Sequence, residues 1–220
     1  MLPDVAKVSE ARSTFLAAGD AAHAVLGLAE VVERWDEASA LQLMSVGALA
    51  AHLVRAVTTV ESYIDAAAPA DERQPPLSGA GYFVEMLARA GDVNAPLHVG
   101  VRERGAEEAR AGHAAVLEAF EATLERLRAR LPVEPDDRRV EVRGKVVLPL
   151  DEYLLTRIVE LTVHSDDLCV SVGLPTSALP GARLAVQVLL EVAALRHGEL
   201  GVLRALARRE RDVDGALRVL

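Results

Sequence analysis

Apolar residues return every three or four positions along most of the chain. From about Asp4 to Arg34 the series Val5, Val8, Phe15, Ala22, Leu26 and Ala29 predicts one long amphipathic helix. Gly19 within it marks a bend or a close helix crossing, and Trp35 anchors its end or the following loop. A second helix is predicted from Val46 to about Ala67 on Leu49, Leu53, Ala56, Val57, Val60 and Ile64, with Ser45 placed to cap it. Ala109, Val116, Leu117, Phe120, Leu124, Leu127 and Leu131 predict a third from Ala106 to Leu131, stopped by Pro132 and Pro135. Asp151 is the expected cap of a fourth, reaching about Val172, and further helices are predicted over Ala182 to Arg196 and Leu200 to Ala207.

The connections are less regular. Pro69 through Pro76 is a break, GAGYFVEMLARA a short helix, and the following stretch through Gly105 irregular. The segment VEVRGKVVLPL is β-branched around Gly144 and predicts two short strands or an extended clamp. The whole reads as an all-α fold: an antiparallel four-helix bundle with an additional C-terminal helix and a short β hairpin. Composition agrees, because 38 alanines favour close-packed helices and aromatics at 3% argue against a sandwich or propeller.

Charge and cysteine content narrow the function. The net charge of −9 disfavours nucleic acid as a partner. A single cysteine excludes a disulfide scaffold and any multi-cysteine zinc or iron–sulfur site, so a metal would need nitrogen and oxygen ligands. The longest uncharged stretch, Ala38 to Val54, is interrupted by Gln42, Ser45 and His52 and is too short for a membrane span. MLPDVAKVSE lacks the basic start and apolar run of a secretory signal, which makes the cytoplasm the expected compartment.

The sharpest chemical pattern is Glu160-Leu161-Thr162-Val163-His164, whose carboxylate and imidazole share one helix face. It reads either as an ordinary polar pair or as two ligands converging on a cation. His52, on a separate helix beside Leu49 and Leu53, is either a core histidine or a third ligand. Asp167, three residues after His164, is placed to orient that imidazole or to end the helix, while Asp166 caps or meets solvent. Cys169 reads as a small buried residue, and His23, His98, His113 and His197 as structural ones. Tyr153 and Arg157 either approach the Glu160 face or cover its outside.

Several segments together carry a family resemblance. Trp35, Val46-Gly47-Ala48-Leu49-Ala50-Ala51-His52-Leu53, Leu150-Asp151-Glu152-Tyr153 and Glu160 through Leu168 resemble the mycothiol-dependent maleylpyruvate isomerase family, related in its helical domain to DinB-like metal-binding bundles. The segment from Leu203 to Leu220 resembles the ends of actinobacterial relatives. The resemblance implies a DinB-like metal-binding bundle over residues 1–172; residues 173–220 depart from the family's mixed α/β tail and read, from their own apolar spacing, as a helical extension packed on the bundle. It implies His52, Glu160 and His164 as ligands of Zn²⁺, or of Ni²⁺ or another divalent ion; Asp167 is offered behind them by its spacing from His164 alone. It also implies mycothiol as a low-molecular-weight thiol cosubstrate. The activity implied is isomerisation of, or thiol transfer to, a small electrophile; metal-assisted hydrolysis and a non-catalytic binding protein are the alternatives. A homodimer is one assembly consistent with this reading.

Overall fold

The Ser9 side chain accepts from the amide of Arg12 and starts α1 (Glu10–Leu26). A computed structural model describes residues 9–67, 69, 75–88, 94–143, 146–177, 179–207 and 217–219. Val5, Val8, Gly144 and most of Leu203 to Leu220 therefore lie outside the described residues, as does part of the Pro69 to Pro76 break.

The single helix expected from Asp4 to Arg34 is two. Gly27 ends α1 by donating to the His23 carbonyl, and Leu28 is extended before α2 (Ala29–Glu33). Gly19 marks a close crossing, with the Leu124 side chain packed against it. Ser45 accepts from Ala48 N and caps α3 (Val46–Asp65), as its position predicts. After α4 (Gly79–Leu87), the stretch read as irregular is instead a helix, α5 (Pro96–Ala109). Proline at its first position supplies the start that the poorly periodic sequence PLHVGVRERG conceals.

The helix expected over Ala106 to Leu131 is divided at Gly112. There φ is 83°, a left-handed value glycine adopts without strain, so α6 (His113–Arg130) turns away from α5. The turn allows α5 to lie along α3. Gly105 is the point of closest approach, since a Cβ there would stand 2.7 Å from the Ala48 carbonyl oxygen.

A 3-10 turn over Leu131–Val133 leads to the antiparallel hairpin of β1 (Arg139–Val142) and β2 (Val146–Pro149), paired Val140 to Leu148 and Val142 to Val146. The final elements are α7 (Leu150–Ser171), α8 (Ala182–His197) and α9 (Glu199–Ala207). Asp151 does not cap α7. The preceding residue is Pro149, and the Asp151 carboxylate takes the Arg12 side chain of α1. Its neighbour Glu152 accepts from Gly79 N at 2.7 Å and so holds the start of α4.

Around the core the four bundle helices follow the order α1, α7, α3, α6. Phe15, Leu49, Leu53, Val57, Phe120, Leu127, Leu154, Ile158 and Leu161 fill the space between them. A second apolar cluster joins Ala80 and Phe83 of α4 to Val159 of α7 and to Ala185, Val188 and Val192 of α8. The extension therefore supports α4 as well as α7. Among the described residues no helix is long and apolar enough to cross a membrane.

Candidate metal centre

Two facing polar stripes interrupt the apolar interior. On α7, Tyr153, Arg157, Glu160, His164 and Asp167 are spaced four, three, four and three residues apart, which keeps them on one side of the helix. The adjacent line Leu154, Ile158, Leu161 and Leu168 is buried in the core and fixes that side's direction. On α3, His52, Ala56, Thr59 and Tyr63 follow the same spacing. The two helices run antiparallel, so His52 meets His164 at one end while Tyr63 meets Tyr153 at the other.

At the first end His52 Nε2 lies 3.5 Å from Glu160 Oε2, and His164 Nε2 lies 3.2 Å from the same oxygen. The imidazole rings stand edge to face at 4.9 Å. One donor atom from each of the three residues falls within 4.8 Å of the other two. His164 Nδ1 donates to Asp167 Oδ2 at 2.9 Å, which turns Nε2 toward Glu160. Burial opposes charge on His164, yet its hydrogen bonds to Asp167 and Glu160 raise its pKa to about 9. Burial likewise pushes the Glu160 carboxyl up, but hydrogen bonds from His164 and His52 and the nearby Arg157 hold it well below the usual carboxylate range. The cluster thus favours positive charge at its centre, as a proton or a metal cation.

The donor set fits a divalent ion. Bonds of ~2.0–2.1 Å at tetrahedral angles separate neighbouring donors by about 3.3 Å, the range spanned by the two distances to Glu160 Oε2. Two imidazoles and a carboxylate leave one tetrahedral position for an outside ligand. Asp167 then acts by orienting His164. Asp167→Ala is expected to weaken Zn²⁺ affinity by roughly 10–100-fold, read by competition with a chromophoric chelator. Unchanged affinity would remove Asp167 from the site.

The cluster opens on a cavity of about 660 Å³. Its floor is the two stripes. Tyr82, Phe83 and Met86 of α4 form one wall, His98, Val101 and Arg104 of α5 another, and Arg143 closes the hairpin side. Tyr153 donates to Thr59 Oγ1 at 2.9 Å, and burial pushes its phenol up to about 12, so it remains a neutral donor.

Tyr153 and Arg157 therefore lie inside the site, resolving the open choice left by their sequence positions. Thr59, Tyr63 and Arg143 carry no assigned role in the sequence pattern, and His98 reads there as a structural histidine. The spacing of Thr59 and Tyr63 from His52 was the available signal for the first two. His98 was assigned to an irregular segment, but α5 carries it to the cavity wall.

The remaining sites read as structural lie elsewhere. His113 Nε2 is 2.7 Å from the Leu26 carbonyl oxygen and its ring meets Trp35 edge-on. His23 stacks on Phe120, and His197 ends α8. Cys169 is buried outside the cavity lining, and burial raises its thiol pKa.

Trp35 Nε1 donates to the Ala109 carbonyl and joins the approach to α3 with the end of α5. The profile of the mycothiol maleylpyruvate isomerase N-terminal domain matches residues 16–169, an interval containing Trp35 and both polar stripes. The chain belongs to this family. Among curated proteins and among solved structures no match was found. The family match covers α3, ends at Cys169 within the last turn of α7 (Leu150–Ser171) and does not include α8.

Proposed function

We propose that the protein is a metal-dependent enzyme that uses mycothiol to isomerise, or to transfer thiol to, a small electrophilic molecule. The observation carrying this reading is the His52, Glu160 and His164 cluster at the wall of an open cavity within a mycothiol-related domain. Residues 1–172 form the catalytic unit in this reading, and α8 of the extension that follows braces α4. Zn²⁺ is the favoured ion, with Ni²⁺ or another divalent cation as alternatives; when bound, it supplies the Lewis acidity that lowers the pKa of a thiol reaching it.

The chain's residues provide placement. His52, Glu160 and His164 fix the cation on two packed helices, with Asp167 holding His164 in orientation. Tyr82, Phe83 and Met86 offer an apolar wall that limits water around the reacting carbon. The Tyr153 hydroxyl is committed to Thr59, which stiffens the floor between α3 and α7. Thiol addition to an electron-poor double bond, rotation and elimination return the thiol and give isomerisation. Retention of the adduct gives transfer.

Cys169 is not required as the nucleophile. Turnover of unsaturated and electrophilic small molecules should require added mycothiol and rise with metal content measured in the same preparation, with Cys169→Ser retaining most activity. Mycothiol-independent incorporation of solvent oxygen would instead establish hydrolysis. Dependence on Cys169 would reject the thiol-cosubstrate mechanism.

A further inference from the structure

The two oxygens of Glu160 face different partners. Oε2 lies 3.5 Å from His52 Nε2 and 3.2 Å from His164 Nε2, while Oε1 lies 3.8 Å from Nη2 of Arg157. The imidazoles belong to the metal cluster. Arg157 does not, because a guanidinium is permanently cationic and offers no lone pair to a metal.

Its position is fixed from several sides. The side chain is only 13% exposed. Nε donates to Thr156 Oγ1 at 3.0 Å, and that hydroxyl donates in turn to the Tyr153 carbonyl oxygen at 2.6 Å. The guanidinium lies over the Tyr153 ring, 5.1 Å from the centroid. That ring is itself held by its hydroxyl bond to Thr59 and by an edge-to-face contact with Tyr63. Arg157 precedes Glu160 by three residues, so a single turn of α7 carries both the cation and the carboxylate it faces. A permanent cation so near a metal site repels the metal. The contribution of Arg157 therefore lies elsewhere than in metal affinity.

We infer that Arg157 is the positioning residue of Glu160: it holds Oε1 aside, limits the carboxylate to one metal bond through Oε2, and so keeps the fourth coordination position open to an outside ligand. A carboxylate binds a cation through one oxygen or through both. Two imidazoles together with both Glu160 oxygens would fill a four-coordinate ion and close it to a thiol. With Oε1 drawn toward Arg157, the second bond forms only if a largely buried ion pair is broken. Asp167 and Arg157 thus act on different ligands from behind the cluster, Asp167 on His164 and Arg157 on Glu160. The inference rests on the ligand set proposed above, and no proton transfer is assigned to Arg157.

Co²⁺, whose visible spectrum reports coordination geometry, is the probe, with 2-mercaptoethanol as a simple outside thiol. Wild type should take up Co²⁺ and, on thiol addition, develop a thiolate-to-cobalt charge-transfer band. In Arg157→Gln the cobalt spectrum should differ before any thiol is added. Thiol affinity, read from the charge-transfer band, should fall roughly 10–100-fold, the usual cost of losing a group behind a ligand. Cobalt affinity itself should hold or rise, because repulsion is relieved and Oε1 is freed. That direction is opposite to the one expected for Asp167→Ala. Arg157→Lys keeps a cation and should return the wild-type spectrum with part of the thiol affinity. Arg157→Met keeps the stem over Tyr153 and should repeat the glutamine result, which covers a loss of fold in Arg157→Gln.

Identical cobalt spectra and thiol affinities in wild type and in the glutamine and methionine variants would overturn the inference and leave the ligand set intact. So would folded variants that no longer take up cobalt, since Arg157 would then hold the site together instead of setting how one ligand binds. Absence of cobalt uptake by wild type would reject the ligand set and this inference with it. An Arg157-dependent spectrum without mycothiol-dependent turnover would leave the role of Arg157 standing and reject the thiol reaction instead.

Discussion

His52→Ala and His164→Ala are each expected to lower Zn²⁺ affinity by more than the roughly 10–100-fold cost of losing an outer-sphere partner, and to abolish most thiol-dependent turnover. The reason is the sharing at Glu160 Oε2, with both histidine Nε2 atoms close to that oxygen. Removing either imidazole leaves one nitrogen and one carboxylate donor, too few to hold a labile cation against water. Metal content and chelator competition should change together with activity. His23→Ala provides the comparison, because His23 lies against Phe120 outside the cluster. Wild-type metal affinity in His52→Ala would reject the assigned ligand set, even if turnover fell.

Arg12→Met is expected to destabilise the fold by about 3–5 kcal/mol, lowering the thermal midpoint by on the order of 10 °C. The Arg12 side chain is 2% exposed. Its Nε donates to Asp151 at 2.8 Å, while its terminal nitrogens donate to the carbonyl oxygens of Leu131, Glu134 and Pro135. One guanidinium therefore joins α1 to the end of α6 and the first turn of α7. Methionine retains much of the packing stem but leaves the carbonyls and a partly buried carboxylate without those donors. Arg12→Lys should recover little, because an ammonium cannot reproduce the planar fork. Denaturant unfolding supplies the measurement. A loss below about 1 kcal/mol, the scale of an exposed ion pair, would show that those groups find other partners.

The different visibility of these two features in the sequence has a physical basis. Glu160 and His164 are four residues apart, so helical periodicity alone puts them on one face. His52 is legible as a polar residue beside an apolar helix stripe, and the family resemblance supplies its association with the later pair. Arg12 has no comparable local signal. Its partners lie 119 to 139 residues away, and their convergence depends on how three elements pack.

The sequence by itself determined the all-α bundle, a β-branched segment open to two short strands or an extended clamp, the ordering of the candidate ligands and the family resemblance. These depend on local periodicity, capping residues and segment spacing. It did not divide Ala106 to Leu131 correctly, because the left-handed backbone at Gly112 is selected by the packing of α5 along α3. Nor could it decide whether Tyr153 and Arg157 faced inward, or that His98 would reach the same cavity. Only the tertiary structure settled these positions. An α-helical repeat specifies which residues share a face, whereas long-range packing determines what that face meets, and hence which polar groups become neighbours.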